Sequence, residues 1–112
     1  MDRLAVAVVP DGPGRFVVTL AGELDLAASE GFWAELEPLL EPSGLVVLDG
    51  SELDFLDSSG LRILILAARR AGELGGRLRL VAPHRAVQRT LELTGARAIL
   101  ETRENLDAAL AD

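Results

Sequence analysis

Residues 57–60 read Asp-Ser-Ser-Gly, an acid and two hydroxyls set directly before the apolar segment "LRILILAARRAG". Several chemistries can be asked of that pattern. A serine nucleophile needs a base to take its proton, but the single histidine, His84, belongs to a different helix start, and neither serine sits in a G-x-S-x-G elbow. Asp49, Glu52, Asp54 and Asp57 are close in sequence, yet they lack the spacing and glycine of a calcium loop, so they read as a solvated acidic rim and no metal is assigned. A purely structural role is strong, because Asp and Ser are preferred N-caps whose oxygens accept the orphan N–H groups of a first helical turn. The other option is a serine that is acted upon. A phosphoryl group at a helix N-terminus meets those N–H groups and the positive dipole end, so it preserves the fold while adding about −1.5 to −2 charges.

Two features favour more than a cap. Gly60 stands in the first turn, where glycine costs ~1 kcal/mol relative to Ala; the reading is that a missing side chain lets another molecule approach the serines. On a helical wheel at roughly 100° per residue, Leu61, Leu64, Ile65 and Ala68 gather on an inward side and Arg62, Arg69 and Glu73 on an outward one. Ile63 and Leu66 fall among the outward positions, which makes them, with Arg62, a candidate docking patch.

The elements that must hold this site follow from pattern. "LAVAVV" (residues 4–9) and "RFVVTLAG" (15–22) are β-branched runs separated by "PDGPG", a hairpin. Phe32, Trp33, Leu36 and Leu40 fall at helical spacing, with Pro38 disturbing the last turn. "LVVLDG" (45–50) is a continuous apolar strand. "RLRLVA" (77–82) alternates Arg with Leu, the period of a strand with one wet face. The next segment predicts a helix entered near Pro83, with Val87, Leu91 and Leu93 inward and Gly95 as C-cap; "RAIL" (97–100) predicts a short strand, and "TRENLDAALAD" a last helix with Thr102 or Asn105 as cap. The order β-β-α-β-α-β-α-β-α argues for an α/β fold, a mixed sheet with parallel crossovers.

Length and composition set the frame. A chain of 112 residues, 49% of them apolar, supports one domain over 1–112. With no cysteine there is no disulfide, thiolate site or cysteine nucleophile. No apolar run reaches the ~18 residues of a membrane span, and the N-terminus lacks a signal-peptide layout, so a cytoplasmic protein is expected. The net charge of −7 argues against direct nucleic-acid binding. It is unevenly spread: residues 1–60 hold twelve acids and two arginines, whereas 61–112 hold six acids and nine arginines. All eleven basic residues are Arg, which we read as GC-rich bacterial coding.

"VVLDGSELDFLDSSGLRILI" resembles the signature of the STAS domain as found in anti-sigma factor antagonists. "LAGELDLA" (20–27) is similar to that family's Gly-Glu-Leu-Asp marker, and "GGRLRLVAPHRAVQRTLELTGA" to its third section, with Ala96 where Leu is common. The resemblance covers nearly the whole chain. It implies a single STAS-like domain with helices packed mainly on one face of the sheet. It also places the phosphorylated hydroxyl on Ser58, with Ser59 as the alternative, and Asp57, Asp25, Ser59 and Gly60 as neighbours of the switch. The implied partners are an anti-sigma factor with a histidine-kinase-like ATPase domain acting as serine kinase, and a serine phosphatase that resets the switch. In this scheme the unphosphorylated form binds the anti-sigma factor and frees the sigma factor, and phosphorylation ends the interaction. The chain itself is then no enzyme and needs no cofactor. Rival readings are a STAS subunit of a lipid-transport complex, a signalling scaffold, and a serine-dependent hydrolase.

Overall fold

A computed structural model describes residues 3–111. The order of elements is β1 (Leu4–Pro10), β2 (Arg15–Leu24), α1 (Leu26–Leu36), β3 (Leu45–Leu56), α2 (Ser58–Glu73), β4 (Arg77–Val81), α3 (Arg85–Thr94), β5 (Glu101–Arg103) and α4 (Leu106–Leu110), with 3-10 turns at Glu37–Leu39 and Ala96–Ala98. The strands form one sheet in the order β1-β2-β3-β4-β5. β1 and β2 are antiparallel, joined through "PDGPG", where Asp11 N–H donates to the Arg15 carbonyl at 2.8 Å. All other pairings are parallel, as helical crossovers demand.

Alternating residues of the strands divide the interior in two. Val18, Leu20, Val46, Leu48, Leu78 and Leu80 face the main core with Phe32 and Leu36 of α1, Leu61 and Leu64 of α2, and Val87 and Leu91 of α3. A smaller cluster of Leu45, Val47, Val81 and Ala109 lies on the opposite face. α4 covers that face beyond Arg77, which stays exposed, so the wet row is cut short: Arg79, in the expected solvent row, is only 5% exposed. Its Nε donates to Glu101 at 3.0 Å, and its Nη1 donates to the carbonyls of Ala109 at 2.8 Å and Ala111 at 2.7 Å. Burial alone would raise the Glu101 carboxyl, but hydrogen bonds and charge from Arg79 and Arg103 hold it below the usual range.

Other expectations shift locally. Pro38 limits α1 to Leu36 and lies within the tighter turn Glu37–Leu39 that follows. Gly95 does cap α3, at φ +71°, a backbone conformation that favours glycine. The chain then turns through Ala96–Ala98 so that "RAIL" is not a strand, and β5 is the polar Glu101–Arg103. Leu93 is 75% exposed instead of inward, and Asn105 caps α4, accepting from Ala108 N–H at 2.8 Å.

β3 also runs past Gly50 to Leu56. It does so through two register shifts against β2, between Thr19 and Ala21 and between Gly22 and Glu23. These irregularities bring Leu56 opposite Leu24, so adjacent parallel strands both end in Leu-Asp at the same level. Each Asp begins a helix.

Candidate functional site

Asp25 and Asp57 are the N-caps of α1 and α2. Asp25 Oδ1 accepts from Ala28 N–H at 3.0 Å, and Oδ2 accepts from Arg3 Nη1 at 2.8 Å. The residue is only 6% exposed. The hydrogen bond from Arg3 holds its carboxyl below the ordinary range, against the opposing pull of burial. Asp57 does two jobs: Oδ1 accepts from Gly60 N–H at 2.9 Å, and Oδ2 accepts from Leu26 N–H at 3.1 Å, the first residue of the neighbouring helix.

With Asp57 as cap, neither serine hydroxyl is needed for it. Ser58 is the first helical residue and exposed; Ser59 is half-buried. Gly60 is buried, and its role differs from the expected one. A Cβ there would overlap the Leu24 carbonyl oxygen and lie 2.8 Å from Leu24 Cγ and 2.9 Å from Leu56 Cδ1. Glycine therefore lets α2 sit against the ends of β2 and β3; the clearance is internal.

Ser58 opens onto a groove of about 360 Å³ along α2, lined by Leu61, Arg62, Ile65, Leu66 and Arg69. Leu66 is 43% exposed and Arg62 is exposed, as the wheel indicated. Ile63 is not fully outward: it is half-buried and packs against the main core, as does Ile65, which was assigned inward and also lines the groove. On the other side of Asp57 lies a second depression, lined by Arg3, Asp25, Leu26, Ala27, Phe55 and Asp57. Its apolar rim was not singled out from the sequence. Leu26 is 73% and Phe55 42% exposed, and the signal was there, since each apolar residue stands one or two places from a capping aspartate, at Asp25-Leu26 and Phe55-Leu56-Asp57.

The remaining candidates stay apart from this site. His84 begins α3, its Nδ1 accepting from Ala86 N–H at 3.2 Å, and lines a separate groove with Arg85, Arg89 and Glu92. Asp49 is engaged by Ser51, accepting from its N–H at 3.1 Å and its hydroxyl at 2.6 Å. Among the described residues no three His, Asp or Glu side chains come together as a metal site would require, and no helix is long and apolar enough to cross a membrane.

The mixed-sheet α/β domain thus sets two aspartate-capped helices side by side, with an exposed serine on the groove of the second. The family model described as "Mlab, STAS domain" matches residues 9–101, and the chain belongs to the STAS domain family. It is 32% identical over 101 residues to the putative anti-sigma factor antagonist BtrV of Bordetella bronchiseptica, covering 88% of this chain and 85% of that one. The crystal structure of an anti-sigma factor antagonist from Mycobacterium paratuberculosis superposes with a TM-score of 0.83 at 30% identity, over 96% of this chain and 91% of the other. The fold is also that of SpoIIAA, at 22% identity and 88% of this chain. Its unphosphorylated form gives a TM-score of 0.74 over 88% of that chain, and its phosphorylated form, from Bacillus, 0.68 over 91%.

Proposed function

We propose that this protein is an anti-sigma factor antagonist switched by phosphorylation of Ser58. The unphosphorylated chain docks an anti-sigma factor through the groove of α2 and so releases a sigma factor; the phosphorylated chain does not dock. The anti-sigma factor is itself the serine kinase, of the histidine-kinase-like ATPase type, a phosphatase restores the hydroxyl, and all act in the cytoplasm. Support comes from the names of BtrV and of the mycobacterial relative, and from SpoIIAA having been solved in both phosphorylation states.

The observation that carries the reading is the separation of duties at residues 57 and 58. Asp57 makes the cap, so the exposed Ser58 hydroxyl is left to act as acceptor at the mouth of the apolar groove. In the transfer, Ser58 Oγ attacks the γ-phosphorus of ATP. The Oγ–P bond forms, the bond from phosphorus to the β,γ-bridging oxygen breaks, ADP leaves, and the hydroxyl proton goes to a base of the kinase. The chain contributes only the acceptor, which is why it is not itself an enzyme. His84 lines a different groove and does not serve Ser58 as a base. Incubation with the kinase and Mg-ATP, followed by mass spectrometry, should add one phosphate to wild type and to Ser59→Ala and none to Ser58→Ala. Continued labelling of Ser58→Ala would transfer the site to Ser59, and no labelling of wild type would remove the kinase reading.

A further inference from the structure

We propose that Arg62 is the internal partner of a phosphate carried on Ser58, so that phosphorylation adds charge and at the same time withdraws a cation from the docking groove. This rests on Ser58 being the acceptor. Ser58 and Arg62 are four residues apart on α2, a spacing that sets Cβ atoms about 5–6 Å apart on one helical face, and both side chains are exposed and line the same groove. Arg62 takes part in none of the ion pairs among the described residues, so its guanidinium has no competing carboxylate. A guanidinium fork meets two oxygens of a phosphate at once, which makes such pairs stronger than a point charge would.

The same helix supplies an internal control. Arg69 lines the groove and is likewise outside those ion pairs, but it lies eleven residues from Ser58, about 16 Å along the axis at 1.5 Å per residue, beyond the combined reach of the two side chains. The other charged groups around the position are Asp57, whose carboxylate is held by Gly60 and Leu26 N–H, the Arg3–Asp25 pair across the neighbouring depression, and Asp54, exposed on β3. Asp57 is the like charge a phosphate must tolerate and Arg62 the opposite charge that compensates it. Phosphorylation would then turn a groove carrying two available cations into one with a net-negative mouth and a single remaining cation, Arg69.

The test installs phosphoserine at position 58 by genetic encoding, without any kinase, and follows the second ionisation of the phosphate by phosphorus NMR. Arg62→Gln should raise that pKa by roughly 0.2–0.7 pH unit, the size expected of an exposed ion pair. Arg62→Lys should raise it less, and Arg69→Gln should leave it in place. No shift in Arg62→Gln, or an equal shift in Arg69→Gln, would overturn the pairing. Since no kinase enters the experiment, that failure would be distinct from failure of wild type to be labelled.

Discussion

The carboxylate of Asp57 bridges two helices, accepting from Gly60 N–H at 2.9 Å within α2 and from the backbone N–H of Leu26, first residue of α1, at 3.1 Å. One side chain thus fixes the angle at which both helices leave the sheet, and it does so beside the proposed acceptor. Losing an N-cap costs about 0.5–2 kcal/mol. Asp57→Ala should lie at the upper part of that range in urea unfolding, because two donors lose their acceptor, whereas Asp57→Asn should recover part of the loss by serving one of them. Equal stability of all three proteins would show that the bridge carries no weight.

Gly60→Ala separates internal clearance from helix propensity. Propensity alone would stabilise by ~1 kcal/mol, but the added Cβ overlaps the Leu24 carbonyl and crowds Leu24 and Leu56 side chains, and overpacking of this kind costs about 1–3 kcal/mol. A lowered melting temperature is expected. A raised one would mean that α2 is not pressed against the strand ends as described.

The Arg3–Asp25 pair makes a prediction about acid. Arg3 lowers the carboxyl of Asp25 in the folded state, so the folded chain holds the ionised form more tightly than the unfolded chain does. That contribution is complete above the unfolded aspartate value of about 3.9 and disappears as pH falls through the lower, folded value. Wild type should therefore exceed Arg3→Gln in stability at neutral pH, with the difference shrinking only below about pH 3.9. A difference independent of pH across that interval would exclude the pair as its source.

Arg79 tests the second face of the sheet. Its replacement by Ala leaves Glu101 with Arg77 and Arg103 but removes the donor from the carbonyls of Ala109 and Ala111; leaving a buried acceptor without its donor costs about 1–3 kcal/mol. Hydrogen exchange should quicken first in residues 106–110, since α4 is held by this side chain. Unchanged exchange there would refute the role assigned to Arg79.

The chain's order of elements was readable because each strand on the main core carries β-branched or leucine runs, α1 to α3 place apolar residues at helical spacing, and α4 is announced by its cap. The failures have specific causes. Arg79 looked solvated because alternation with Leu signals a wet face only when nothing covers it, and the covering helix, α4, is just five residues long. β5 was misplaced because Glu-Thr-Arg carries no apolar signal and is held by pairing to β4 and by arginines around Glu101. Ile63 joins Ile65 against the core because a wheel places an inward side but not the neighbours: α1 packs alongside α2 as well as the sheet beneath it, so the buried arc is wider. At the site itself, Asp25, Asp57 and the serines were legible as residue types, whereas the bridge from Asp57 to Leu26 depends on two strand ends brought level by irregularities that no local pattern encodes.

On the function proposed above, the state of Ser58 controls the use of the α2 groove without altering the fold. This is tested most directly by calorimetric titration of the anti-sigma factor with the unphosphorylated chain and with the chain carrying phosphoserine at 58, the amide NMR spectra of both being compared. Near-identical spectra outside the start of α2 are expected, with an affinity at least about tenfold weaker for the phosphorylated chain, equivalent to ~1.4 kcal/mol. Equal affinities, or a loss of affinity accompanied by spectral change throughout the domain, would contradict it.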